Sequence, residues 1–496
     1  MRLSFKDAIA IRITLGLLSA AILLTSSIWH TVDAQAQPLS ITEQIRAARP
    51  GSVITLDAQD YTERIDIETS GSADGPITLR GAGIDSTLIH GRISIRENVA
   101  HWIIENLSID AHGADNDAIH IYSNTQHLTL RNVQLYGGDK GGHYGIRVGN
   151  GASDVLIEDA HIHHFGDGGT DAHGIGIEAA NNITVRRCRI HDNIGDGVQS
   201  NTSDDVITPP PPRPSNILIE ANQIYSNSEN AVDIKSTLGI QIINNQIYHY
   251  RPSGSSDGTA IQVQYGARDV QIIGNDISDA VVGIEVTQGK KDGSVYPDTP
   301  SRVTIQHNFI HDTVTSSAAS TGSGTAITLR AGSVYKIYNN TLAGIPTYGL
   351  YLGKADAAQP SDIDVRNNVL QGMLRDAEFS PAVADIAGLV FDHNHYTTGL
   401  IDKWSVSNWP AQGFETSPTS GDPHINTQGQ PALGSPLIDT GVALGLRFTG
   451  SAPDRGWAEI AAGSAPIATP TPTIVPTPGP SPTPMPARQF LPVLRL

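Results

Sequence analysis

The chain has 496 residues, with 50 Asp and Glu against 32 Lys and Arg and a formal net charge of -18. An excess of that sign repels a phosphate backbone, so non-specific nucleic-acid binding is excluded and no nucleic-acid partner is expected. The single cysteine, Cys188, rules out an intrachain disulfide and any multi-cysteine metal site, and 49 glycines with only 5% aromatic residues fit many short strands and turns better than a helical bundle.

The first 36 residues carry Arg2, Lys6 and Arg12, then an apolar run over 13–28, then Ala34-Gln-Ala36 with the small-x-small shape that a signal peptidase accepts. This predicts a signal peptide over 1–36, cleaved near Gln37. The mature protein is then secreted or attached to the cell surface, and it has no membrane span, because the apolar run is shorter than about 20 residues. Residues 37–100 are expected to form an N-terminal cap and the first strands. The segment Ser-Ile-Thr-Glu-Gln-Ile-Arg-Ala-Ala-Arg at 40–49 has helical spacing, a Ser40 N-cap signal and Glu43 three residues on, and Pro50-Gly51 stops it.

From 101 to 396 one phrase recurs: alternating apolar residues, a polar pair, a column position, a spacer, then Ile or Leu. It reads Trp-Ile-Ile-Glu-Asn-Leu-Ser-Ile at 102–109 and Ile-Leu-Ile-Glu-Ala-Asn-Gln-Ile at 217–224, and ends at 389–396. The column runs Leu107, Val133, Ala160, Cys188, then Asn222, Asn245, Asn275, Asn308, Asn340, Asn368 and Asn394, at intervals of 23 to 34 residues. The shortest interval is about one coil of chain, and the excess elsewhere must leave as loops. Seven consecutive Asn, stacked at the roughly 4.8 Å strand spacing, read as an internal hydrogen-bonded ladder at a bend. Cys188, in the same column, reads as a small buried thiol.

A second phrase follows each first one, for example Gly-Ile-Arg-Val at 145–148 and Ala-Val-Asp-Ile at 231–234. Its apolar members point inward, so the residue between them and the one after face solvent. The outer stripe so defined includes Arg147, Glu178, Gln199, Asp233, Lys235, Gln262, Glu285 and Arg330. The fold predicted is all-β, a parallel β-helix of about eleven rungs. Residues 397–463 lose the repeat and close the helix. Residues 464–496 alternate Pro with Thr or Ser, then end in a terminal tail, which reads as a disordered stalk.

This layout resembles the pectate-lyase-like superfamily of right-handed parallel β-helices, by the rungs above, by Ala-Arg-Pro-Gly-Ser-Val-Ile-Thr-Leu at 48–56, and by Ser-Pro-Leu-Ile-Asp-Thr-Gly at 435–441. Within it, Gly-Asp-Gly-Val-Gln at 195–199 and Ser-Glu-Asn-Ala-Val-Asp-Ile-Lys at 228–235 are similar to the calcium site of bacterial polysaccharide lyase family nine. The resemblance implies Ca²⁺ on Asp196, Glu229 and Asp233, with Asn230 where a further Asp belongs. It also puts Gln262 where that family carries its lysine base.

Abstraction of the proton α to a uronate carboxylate needs an amine to accept it, and Lys235 is the candidate base. Asp233 alone would keep that amine protonated, whereas Ca²⁺ on Asp233 would reverse the effect. Arg147, Glu178, Gln199, Gln262 and Arg330 are candidate substrate contacts on the stripe. Three functions follow for an acidic polysaccharide partner. The first is a Ca²⁺-dependent polyuronate lyase. The others are a non-catalytic glycan-binding or adhesion module, and a polygalacturonase-type hydrolase built on paired carboxylates. The chain is expected to act as a monomer.

Overall fold

The computed structural model describes residues 39–460 apart from 115–116, 139–142, 167–170, 203–211, 292–293, 320–321 and 357. The expected signal peptide and the Pro/Thr-rich tail lie outside the described residues.

The chain opens with helix α1 (Ile41–Ala47), which has a complete capping box: the Ser40 side chain accepts from Glu43 N, and the Glu43 side chain accepts from Ser40 N. Ile41 and Ile45 are buried, and α1 packs on Arg64–Ile67, the first strand of its sheet. The Ser40 and Glu43 signals thus act as expected, and the helix lays its apolar face on the first coil.

Each coil contributes three strands. In one representative turn these are Ser153–Glu158, His161–His163 and Ile175–Glu178. First and second strands belong to a 25-stranded sheet, and third strands form a separate 14-stranded sheet. Every step of the latter is parallel except the last, where Trp404–Ser405 turns back on Leu400–Ile401. Register is fixed because the apolar positions of successive coils must superimpose: Val155 pairs with Leu128 on one side and Ile183 on the other. Val155, Ile157, Ile162, Ile175 and Ile177 of this turn are all buried, each worth about 1.5–3 kcal/mol of apolar burial.

The repeat begins two coils before the first recognisable phrase. Val53–Thr55 and Ile77–Arg80 already pair in the first-strand position, and Ile77–Arg80 pairs in turn with the strand that starts at Ala100. These early coils lack the column position and its spacer, which is why eleven rungs are legible and the helix is longer.

The bend between first and second strands follows one rule. The residue ahead of each column position has a positive φ: Asn106, Asn132, Asp159, Arg187, Ala221, Asn244, Gly274, His307, Asn339, Asn367 and His393. Asn, Asp and Gly tolerate that left-handed geometry best, which accounts for the polar pair in the phrase.

The turn aims the next side chain inward. From Asn222 to Asn368, each column Asn donates its backbone N–H and its Nδ2 to Oδ1 of the next, at 2.9–3.0 Å. Cys188 N joins the ladder by donating to Asn222 Oδ1 at 2.8 Å. At the far end, buried Glu415 replaces the missing Asn: its Oε1 accepts from Asn394 N and Nδ2 at 3.0 and 3.1 Å, and its Oε2 accepts from Tyr396 OH at 2.6 Å. The closing segment then lies back on the coils, where Asn339 Nδ2 donates to Asp454 O and Asn367 Nδ2 to Val442 O.

Candidate functional site

The third strands are in register at Ile119, Ile146, Ile175, Val198, Val232 and Ile261. Two residues earlier, the same register stacks Asp117, Tyr144, His173, Asp196, Asn230 and Thr259. Gly or Ala follows each, because space is short: a Cβ on Gly197 would stand 2.5 Å from Ile224 Cγ2 and 2.7 Å from Ala231 O. The column is knitted by side chains that accept the backbone N–H of the next coil. Asp117 Oδ1 accepts from Tyr144 N at 2.6 Å, His173 Nδ1 from Asp196 N at 2.8 Å, and Asp196 Oδ1 from Asn230 N at 2.9 Å.

Charge concentrates at the middle of this column. His173, Asp196 and Glu229 are all buried, and each places a ligand-type atom within 4.8 Å of the others. Asp196 also accepts from Asn230 Nδ2 at 2.8 Å and Gln199 Nε2 at 2.9 Å. Glu229 accepts from Ser255 Oγ, and Asn230 Oδ1 from Ser256 Oγ at 3.0 Å. On the adjoining strand (Val232–Lys235), Asp233 receives Lys235 Nζ at 3.0 Å and Gln264 Nε2 at 2.9 Å.

These groups titrate abnormally for physical reasons. Burial, reinforced by Asp196, pushes the Glu229 carboxyl up to about 8. Burial raises Asp196 and Asp233 as well, with Lys235 opposing both. Burial works against the Lys235 ammonium, but Asp233 and Asp196 outweigh it and hold the amine protonated. Burial and then Lys235 pull His173 down to about 4, so it is neutral. Because its Nδ1 accepts from a backbone N–H, its proton sits on Nε2.

With the His173 imidazole committed in this way, the donors left are the oxygens of Asp196, Glu229 and Asp233. Three buried carboxyl groups, each resisting ionisation, face one ammonium, and such an all-oxygen set, once deprotonated, fits a hard cation such as Ca²⁺ better than Zn²⁺.

Beside this cluster a groove of about 570 Å³ is lined by Glu229, Asp233, Lys235, Gln262, Tyr265, Glu285 and Lys290, among others. Asp233, Gln262 and Glu285 are consecutive in register across it. Burial lifts Glu285 to about 7 against the pull of Arg330, whose Nε is 3.0 Å away.

The structure brings together Asp196, Glu229, Asp233, Lys235, Gln199 and Gln262 of the residues singled out in sequence. It sets Arg147 and Glu178 apart, and Arg330 reaches the groove only through Glu285. Arg147 Nε bonds Asp117 at 2.9 Å, its Nη1 bonds Glu178, and its guanidinium lies 4.0 Å from the Tyr144 ring centroid, on earlier coils than the carboxyl cluster. Arg330 lies 5.8 Å from the Tyr351 ring centroid and lines a neighbouring groove of about 500 Å³ with Tyr348, Tyr351 and Glu378. His173, Ser255 and Ser256 were given no role by sequence. The signal for His173 was available, because it precedes Gly174 as Asp196 precedes Gly197.

Among the described residues no helix is long and apolar enough to cross a membrane. No curated protein matches the chain by sequence. Among solved structures, the PL6 family alginate lyase AlyGC is similar at 15% identity and a TM-score of 0.56, over 78% of this chain and 53% of that one. A second PL6 alginate lyase, solved with a trisaccharide, is similar at 11% identity and a TM-score of 0.52, over 81% and 90% of the two chains. Pectate lyase Pel9A aligns at 14% identity over 85% and 91%, with a TM-score of 0.40. The family described as "right handed beta helix region" matches residues 92–209 and 173–370, more than half of the chain. The chain belongs to the right-handed β-helix family.

Proposed function

We propose that this chain is an exported, monomeric enzyme that cleaves an acidic polysaccharide by β-elimination, with Lys235 as the base in the groove. The observation that carries the reading is the Lys235 amine on the groove wall, 3.0 Å from Asp233. A proton acceptor of this kind must sit where a sugar C–H can approach, and Lys235 lines the groove while its stem is mostly covered.

Asp233 and Gln264 fix the amine: Asp233 holds it from one side and is itself held by Gln264. Gln262, next in register to Asp233, offers an amide to a sugar hydroxyl or carboxylate. The resting ion pair keeps Lys235 protonated, so the amine accepts a proton only after the Asp233 charge is compensated. Asp196, Glu229 and Asp233 are the residues that would hold Ca²⁺, which when bound supplies that compensation and stabilises charge on a uronate carboxylate. A polyuronate also faces a groove in which Glu229, Asp233 and Glu285 outweigh Lys235 and Lys290. Substrate binding is therefore expected to depend on cation as well.

The test is release of unsaturated, ultraviolet-absorbing ends from pectate and alginate, with Ca²⁺ and with a chelator. Absorbance that needs Ca²⁺ and Lys235 supports the reading. No absorbance from any polyuronate defeats it. New reducing ends without absorbance would select hydrolysis, and retained glycan binding without either product would select a binding module. That last reading is favoured by one observation, the neutral Gln262 beside a fully paired Lys235.

A further inference from the structure

A second constellation lies on a different face, the outer surface of the second strands, and uses none of the groove residues. His163 pairs in register with Tyr136 on one side and His191 on the other, and His191 with Tyr225. Their rings stack at centroid separations of 5.5, 5.2 and 4.6 Å. His161 and His164 flank this stack. His161 Nε2 is 2.7 Å from His191 Nε2, and His163 Nδ1 is 2.7 Å from His164 Nδ1.

The hydrogen bonds assign the protons. Asp192 Oδ2 accepts from His191 Nδ1 at 2.7 Å, so the His191 Nε2 carries a lone pair, which accepts from His161 Nε2–H. A carboxylate that fixes the far nitrogen of an imidazole is the usual support of a metal-binding histidine. We propose that this cluster is a binding site for a borderline transition-metal ion of the Zn²⁺ or Cu²⁺ type, with Nε2 of His161 and His191 as its first ligands and Asp192 as a positioning residue.

Imidazole nitrogen is the donor such ions prefer, and the ring-nitrogen pair offers nothing to Ca²⁺. On uptake the His161 proton moves from Nε2 to Nδ1, so each imidazole stays neutral and no proton leaves the pair. His164 is exposed and His161 and His163 are half-buried, so an ion can reach the pair from solvent.

The experiment is calorimetric titration of the chelator-stripped chain with Zn²⁺ in excess Ca²⁺. One zinc equivalent is expected that Ca²⁺ does not displace. It should vanish in His161→Ala/His191→Ala, weaken about tenfold or more in Asp192→Asn, and remain in Asp196→Asn/Glu229→Gln. Absence of that equivalent, its loss only in the carboxylate variant, or its survival in the double histidine variant would overturn the site. Should the double variant fail to fold, Cu²⁺ paramagnetic resonance on the unaltered chain decides. Coupling to two imidazole nitrogens supports the site, and coupling to fewer refutes it.

Discussion

Two polar columns run up the inside edges of this helix, and they are built to opposite ends. In the bend column, every amide from Asn222 to Asn394 finds its acceptor, and Glu415 closes the series. In the column ahead of the third strands, Asp117, His173 and Asp196 also accept backbone N–H groups, yet burial raises Asp196, and Glu229 beside the column, against ionisation. A saturated ladder buys a defined coil, whereas ionising these buried carboxyls is costly unless an opposite charge meets them, which in the proposed function is a cation.

The contrast is broken most sharply by removing Lys235. Lys235→Ala is expected to lower the rate of unsaturated-end release about 10²–10⁴-fold, while circular dichroism below its unfolding transition still shows the fold of the unaltered protein. The mirror experiment is Asn275→Ala, which strips Asn245 N and Nδ2 of their acceptor. It should cost about 1–3 kcal/mol in urea unfolding with catalysis below the transition unchanged. A ladder variant that loses activity in its folded state, or a Lys235 variant that unfolds, would erase the distinction.

The bend column was legible because one residue type repeats at one phrase position. The left-handed residue before it was legible as the polar half of the phrase. The functional column was harder. Asp117, Tyr144, His173, Asp196 and Asn230 share a position and no chemistry, so only register against the following Gly or Ala aligns them. Glu415 sits beyond the last phrase, and nothing local marks a carboxylate that acts by impersonating an Asn. Arg147 and Arg330 look like free cations in sequence because their partners, Asp117, Glu178 and Glu285, come from other coils.

A smaller effect sharpens the electrostatic half of the comparison. The folded-state pKa of Glu229, about 8, lies above its unfolded value, so its contribution is fully present below pH 4.5 and is lost as pH rises through about 8. Without divalent cation, stability should therefore fall across that window. Glu229→Gln should flatten the fall in thermal unfolding measured at a series of pH values. The slightest expected response is at Cys188: burial pushes its thiol up to about 12, and it should resist thiol reagents in the native state and react after unfolding.

The most direct test places the unaltered chain, Lys235→Ala and Asn275→Ala side by side on pectate and alginate with Ca²⁺, below the unfolding transition, following ultraviolet absorbance. Release of unsaturated ends by the unaltered chain and by Asn275→Ala, but not by Lys235→Ala, is the expected result. Equal release by Lys235→Ala, or none by the unaltered chain, would contradict the assignment of the buried charge to catalysis.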